Sequence, residues 1–212
     1  MSQDRLSQMV ISIMLLAGFG VSERCNIRPR SFDLIAKKGD TLVTIKVVSH
    51  IDSITADTAW DLNLIARCLE ATPLIIGERA RDTDLERGVV YIRYGLFAIS
   101  PETLYDYLVE GNSPMVYASP GGLYVKIKGD LLREMRERSG MSLGDLASHL
   151  GVSRRTISKY ESGMGTTLEI AIRLEEVFNA PLVETIDLIG HPSPEPVKPP
   201  EPVSGDILSD LE

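Results

Sequence analysis

The chain has 212 residues, enough for one ordinary domain or for two small ones. Its 43% of apolar and 25% of charged residues exclude a disordered chain, and the net charge of −8 argues against a uniformly basic nucleic-acid binder. Only Cys25 and Cys68 occur, which excludes a disulfide scaffold and a Cys-rich zinc site and fits a reducing cytoplasm. The longest apolar stretch, Met9 to Val21, is broken by Ser12 and Gly18 and falls short of the roughly 20 residues a bilayer requires. Asp4 beside Arg5 does not suit a secretory signal.

The first 110 residues alternate between helix and strand patterns. Leu6, Met9, Val10, Ile13, Met14 and Ala17 recur at helical spacing and predict an amphipathic helix from about Arg5 to Ala17. Val21–Ile27, Ser31–Ala36 and Thr41–Val48 read as strands, with Lys38-Gly39-Asp40 as the turn between the last two. A helix is expected from Ala56 to Glu70, with Trp60, Leu62, Ile65, Ala66 and Leu69 toward the core. Pro73–Ile76 reads as a short buried strand, Val89–Arg93 and Leu96–Ile99 as further strands, and Glu102–Val109 as a helix opened by Pro101. This order predicts an α/β (α+β) unit with a mixed sheet covered by helices over 1–112. Met115–Ala118 and Leu123–Ile127 flank Pro120-Gly121-Gly122, so 113–128 is expected to be a connecting β-hairpin.

From Gly129 to Gly190 the apolar spacing predicts five short helices. Leu131, Leu132 and Met135 mark the first; Leu143, Leu146, Ala147 and Leu150 the second; Ile157 and Tyr160 the third. Leu168, Ala171, Ile172, Leu174, Glu175 and Phe178 mark the fourth, and Leu182, Ile186 and Ile189 a fifth after Pro181. The expectation for 129–190 is therefore a compact all-α domain. His191 to Gly205 holds six prolines and few apolar groups, so 191–212 reads as an extended, disordered acidic tail. Its tip, Asp206 to Glu212, is either a frayed end or a docking peptide for a protein partner.

The strongest signal is SLGDLASHLGVSRRTISKYESG, Ser142 to Gly163. Two helices joined by a very short turn must approach closely, and Ala147 permits this. Gly151 can adopt the positive φ that ends the second helix, and Ile157 fills the wedge between the two. Ser142 can cap the second helix with Asp145 in capping-box position, and Ser153 can cap the third. Half of the net negative charge lies in the last 22 residues, whereas Gly151 to Tyr160 carries Arg154, Arg155 and Lys159 and no acid. Two guanidinium groups at the start of an exposed helix suit phosphates and groove edges.

These residues resemble the helix-turn-helix domain of the Cro/C1 repressor type: a small residue, a glycine and a β-branched residue at the required spacing, then aromatic-Glu-x-Gly. The resemblance implies a sequence-specific double-stranded-DNA-binding transcriptional regulator. It places Ser153, Arg154, Arg155, Thr156, Ser158 and Lys159 toward the duplex, with Tyr160 in the core and Glu161 structural. Ser142, Ser153 and Lys159 suit backbone phosphates, and Arg154 or Arg155 suits guanine edges. A module of this size contacts few base pairs, so a homodimer is expected, joined through the fifth helix or the N-terminal unit.

In the N-terminal part, Ser31–Ala36 followed by Val43–Val48 resembles the core of the restriction-endonuclease-like fold. That family holds a divalent metal with an Asp on one strand and acid-x-Lys on the next. Here Asp33 and Lys46 are present, but Thr44 takes the acid's place, with Glu23 or Asp52 as conceivable substitutes. A non-catalytic scaffold for dimerisation, DNA contact or sensing is the expectation; a nuclease targeted by the helical domain, or a DNA-binding antitoxin-like accessory protein, are the alternatives. SERCNIRPRSFDLIAKKGD, PLIIGERARD, GVVYIRYGLFAISPETL and VYASPGG carry a further resemblance, over about residues 5–190, to an archaeal family of helix-turn-helix transcriptional regulators. Members of that family tend to continue into a further domain. Arg24, Arg28, Arg30, Lys37 and Lys38 form either a solvated surface or a second DNA-facing patch. His50, His149 and His191 are scattered, and no Walker loop, GxGxxG or GxSxG occurs, so neither metal nor cofactor nor catalytic residue is expected.

Overall fold

The structure, a computed structural model, describes residues 3–25 and 31–190. The end of the strand expected at Val21–Ile27, the basic side chains of Arg28 and Arg30, and the tail 191–212 lie outside the described residues.

The chain opens with helix α1 (Gln3–Leu16), then β1 (Gly20–Val21), β2 (Leu34–Lys38) and β3 (Thr41–His50). A single 3-10 turn (Ile51–Ser53) leads into α2 (Ala56–Cys68), followed by β4 (Thr72–Ala80), β5 (Thr83–Asp84), β6 (Val89–Arg93), β7 (Leu96–Ile99) and α3 (Pro101–Leu108). Strand β1 is only two residues long, but its direction persists: Ser22 N–H donates to Ile35 and Cys25 N–H to Asp33. The turn at Gly39-Asp40 joins β2 to β3 with Lys38 opposite Thr41, and Gly39 takes φ +57° there.

Strand order is β1-β2-β3-β4-β7-β6, continuing into β8 (Val116–Ser119), β9 (Gly122–Val125) and β10 (Thr166–Thr167), with β5 beside β4. The pairs β3–β4, β4–β7 and β6–β8 are parallel and the others antiparallel, a mixed sheet. Alternation along β3 and β4 separates two cores. Ile45, Val47, Leu74 and Ile76 face α1 and α3, where Leu6, Val10, Met14 and Leu104 are buried. Val48 and Ile75 pack with Ala59 and Leu62 of α2. Within α2, Trp60 is half-buried, and Leu69 just beyond its end is exposed, so neither belongs to the core as the spacing suggests.

The C-terminal part holds α4 (Gly129–Arg138), α5 (Leu143–Leu150), α6 (Arg154–Glu161) and α7 (Leu168–Phe178) around a third core that includes Leu132, Leu146, Ile157 and Leu174. The expected fifth helix does not form. Residues 182–187 form no helix and run alongside the hairpin before the chain bends at 188–190: Val183 bridges Ile127, Glu184 N–H donates to Lys126, and Ile186 N–H donates to Pro114. The cause is a demand from two cores. Leu182 is buried among the four helices, while Leu188 is buried beside α1 and the sheet. Six residues reach about 20 Å extended but about 9 Å as a helix, so a non-helical path gives the segment the longer reach between the two cores. Asn179, at φ 47°, ends α7 ahead of this strap. The Tyr107 hydroxyl donates to Asp187 at 2.6 Å, and burial, then this bond to Asp187, pushes the phenol up to about 12. Leu188→Ala is expected to cost about 2–5 kcal/mol. Urea unfolding followed by circular dichroism checks this; a loss below about 1 kcal/mol would mean that the strap contributes little.

Candidate nucleic-acid interface

Two helices, α5 and α6, and the turn between them place the exposed cations. Ser142 precedes α5 and its hydroxyl accepts from Asp145 N–H at 3.1 Å, while the Asp145 carboxylate accepts from Ser142 N–H at 2.8 Å. This reciprocal cap satisfies two donors that a helix start leaves free. The Ser142 hydroxyl, its backbone N–H, and the charges of Arg154 and His149 hold the Asp145 carboxyl below the usual carboxylate range. Gly151 closes α5 in the left-handed region, φ 69° and ψ 31°, and Val152 N–H donates back to Ala147 at 3.0 Å. The Arg173 guanidinium donates to the carbonyls of Leu150 (2.9 Å) and His149 (2.7 Å), tying the end of α5 to α7. Ser153 caps α6, accepting from Thr156 N–H at 3.1 Å, and the two hydroxyls share a further bond at 2.8 Å.

Helix α6 is two-sided. Ile157, Tyr160 and Glu161 are buried, whereas Ser153, Arg154, Arg155, Ser158 and Lys159 are exposed and Thr156 is half-buried. Helical spacing puts Arg154 above Ser158 and Arg155 above Lys159. The single acid of this helix, Glu161, is turned inward and taken by Arg136. Nε lies 2.5 Å from Oε1 and Nη2 lies 3.3 Å from Oε2, and Arg136 and Glu161 are only 8% and 6% exposed. Bonding to Glu161 raises the Arg136 guanidinium above its ordinary range. Arg133 adds a contact to Glu161 at 3.5 Å. The exposed face of α6 is left with three cations and no carboxylate. Gly129, first residue of α4, makes the fit possible: a Cβ there would lie 2.5 Å from the Glu161 carbonyl oxygen. Arg136, Arg133, Gly129 and Arg173 escape sequence reasoning, since their partners lie many residues away and no local period marks them.

The hairpin connects this face to the rest of the fold. β8 runs beside β6, and β9 pairs with β10, which follows α6 closely in the chain. Tyr117 and Tyr124 stack at 6.1 Å across it, and the Tyr117 ring occupies the space that a Gly165 side chain would need.

The second candidate site is Asp33 and Lys46. Both are buried, Lys46 Nζ lies 3.4 Å from Asp33 Oδ2, and the same oxygen accepts from Val47 N–H at 2.9 Å. Thr44, two residues before Lys46, is fully buried and its hydroxyl finds no hydrogen-bond partner among the described residues. Of the conceivable substitutes, Asp52 is engaged by Arg93 and by Arg81 N–H (2.6 Å), and Glu23 is exposed. Asp52 is held below the usual range, first by the Arg81 N–H and then by Arg93. Among the described residues no three His, Cys, Asp or Glu side chains stand close enough to hold a metal ion. The residues present therefore do not fit the divalent cation that a restriction-endonuclease-like fold implies. No helix among the described residues is long and apolar enough to cross a membrane.

Comparison with known proteins agrees with both halves. Residues 3–114 match a family described as PD-(D/E)XK superfamily domain, and residues 132–184 a family described as helix-turn-helix. The chain is 82% identical over 212 residues to a protein of Methanoculleus marisnigri and 65% identical over 212 residues to one of Methanosphaerula palustris, covering 70% of each. It is 47% identical over 189 residues to one of Halorubrum lacusprofundi, covering 58% of it. All three bear the name "Putative HTH-type transcriptional regulatory protein".

Proposed function

The chain belongs to the archaeal family of HTH-type transcriptional regulatory proteins, and on that basis we propose that it binds specific double-stranded DNA sites through α6, as a homodimer. The observation that carries the reading is the inward capture of Glu161 by Arg136, which leaves Arg154, Arg155 and Lys159 as the only charges on the exposed face of α6. Arg154 and Arg155 approach bases or phosphates, Lys159 a phosphate, and the exposed hydroxyl groups of Ser142, Ser153 and Ser158 assist, with Thr156 beside them. Selection of bound fragments from a genomic pool tests this. The expected product is a two-fold symmetric motif with half-sites roughly one helical turn apart. Recovery of fragments with no shared motif would contradict sequence-specific binding.

The dimer follows from the same arithmetic, since one module of four helices contacts few base pairs. With no fifth helix available, the N-terminal part supplies the interface; Leu15 (56% exposed) and Leu16 (69%) at the end of α1 support this. Light scattering at micromolar concentration is expected to give twice the 23.3 kDa of one chain. A mass of one chain, with and without DNA, would remove the dimer.

The PD-(D/E)XK match keeps a second reading, a nuclease, in play. The Asp33–Lys46 ion pair and Thr44 support a scaffold instead. Incubation with plasmid and Mg²⁺ or Mn²⁺ is expected to leave it intact. Cutting that disappears in Asp33→Ala would establish the enzyme.

A further inference from the structure

Arg154 and Arg155 are neighbours in sequence, yet their surroundings differ. A Cβ built at Gly144 would lie 2.8 Å from Arg154 Nε, 3.0 Å from Nη2 and 3.1 Å from Cζ. The Arg154 side chain is thus laid across the first turn of α5, over backbone that only glycine leaves bare. Asp145 is the next residue of that turn and feels the charge of Arg154. Arg155 has no such seat: it is exposed and enters no hydrogen bond or close ion pair among the described residues.

We propose that Arg155 discriminates between bases, that Arg154 grips the DNA backbone, and that Gly144 enforces the division. This rests on the DNA-binding reading above. A bidentate contact to guanine O6 and N7 requires a guanidinium that can extend from α6 to the floor of the major groove. Arg155 keeps that reach, with Lys159 one turn behind it. Arg154 is folded back toward α5, and its charge stands between two helices. A side chain held there meets the phosphates flanking the groove, where contacts fix register and carry no sequence information.

The test uses the full chain and three variants, Arg154→Ala, Arg155→Ala and Gly144→Ala. Each is measured for base preference by selection from a randomised duplex pool, and for the slope of log K against log salt on the selected duplex. Arg155→Ala is expected to flatten preference at one base pair per half-site by roughly ten- to a hundredfold. Arg154→Ala is expected to keep the preferred sequence, weaken binding to all duplexes alike, and lower the slope by about 0.9 for each phosphate that Arg154 neutralises in the parent. Gly144→Ala unseats the Arg154 guanidinium but meets only a flexible side chain, so the fold survives, binding to all duplexes weakens in the direction of Arg154→Ala, and base preference at the Arg155 position stays as in the parent. Affinity and salt slope equal to the parent's would show that Gly144 does not set the role of Arg154. Loss of base preference in Arg154→Ala, or its retention in Arg155→Ala, overturns the division while leaving DNA binding in place. A parent chain that selects no sequence overturns the underlying reading, and the division with it.

Discussion

Replacing both Arg154 and Arg155 by alanine is expected to abolish site-specific DNA binding and to leave the fold intact. Both side chains are exposed and neither forms a hydrogen bond or close ion pair among the described residues, so their removal takes little from the helices beyond the charge of Arg154 beside Asp145. Surface changes of this kind shift stability by about 0.5 kcal/mol or less. Each guanidinium that meets a base edge or phosphate carries roughly 1–3 kcal/mol, so removing two lowers affinity by roughly 30- to 10⁴-fold, toward the non-specific level. A gel-shift titration on the selected duplex, beside a thermal melt of the same sample, checks both halves of the statement. A double variant that binds like the parent would detach α6 from DNA recognition.

The second large effect is on stability. Arg136→Ala leaves the Glu161 carboxylate buried with only the half-exposed Arg133 beside it, and strips a donor from the Met141 carbonyl. Breaking one side of a buried pair costs about 3–5 kcal/mol, because the remaining charge is left without compensation. Urea unfolding of the variant is expected to show that cost. Arg136→Met combined with Glu161→Leu recovers most of it, since a pair of apolar side chains has no charge to compensate. A single variant within about 1 kcal/mol of the parent would show that water or Arg133 already serves Glu161. The functional consequence is direct. Without Arg136 the negative charge of Glu161 is no longer neutralised beneath the cation face of α6, and DNA binding is expected to weaken even where the helix remains folded.

What the sequence made legible were features whose cause is local. Ser142 with Asp145, Gly151, and Ser153 with Thr156 each act within one helical turn, and the structure has each in the expected role. The order of helix and strand patterns announced the mixed sheet, and the Asp33–Lys46 pair was readable once Thr44 was seen in the acid's place. Features with distant causes were hidden. Leu182, Ile186 and Ile189 have helical spacing, yet two separate cores compete for the segment and pull it straight. Arg136 and Glu161 are 25 residues apart, and no short pattern joins them. Gly144 gives no sign of its use until Arg154 is seen lying over it.

The arrangement also explains how an acidic chain can present a basic face. Net charge governs solubility and long-range encounter, whereas recognition depends on the few groups that reach the duplex. Here Arg154, Arg155 and Lys159 set the sign of that surface, and a buried ion pair neutralises the one acid of the same helix.

Everything proposed for this chain requires that the α6 face hold duplex DNA, by charge and by sequence. Fluorescence anisotropy of a labelled duplex pool, titrated with the full chain across a range of salt, measures that binding itself. Saturable binding is expected at low ionic strength, weakening linearly in log K against log salt, with a slope that falls when Lys159 is changed to alanine. Anisotropy that stays flat at every salt concentration, for every duplex offered, would refute DNA binding by this face.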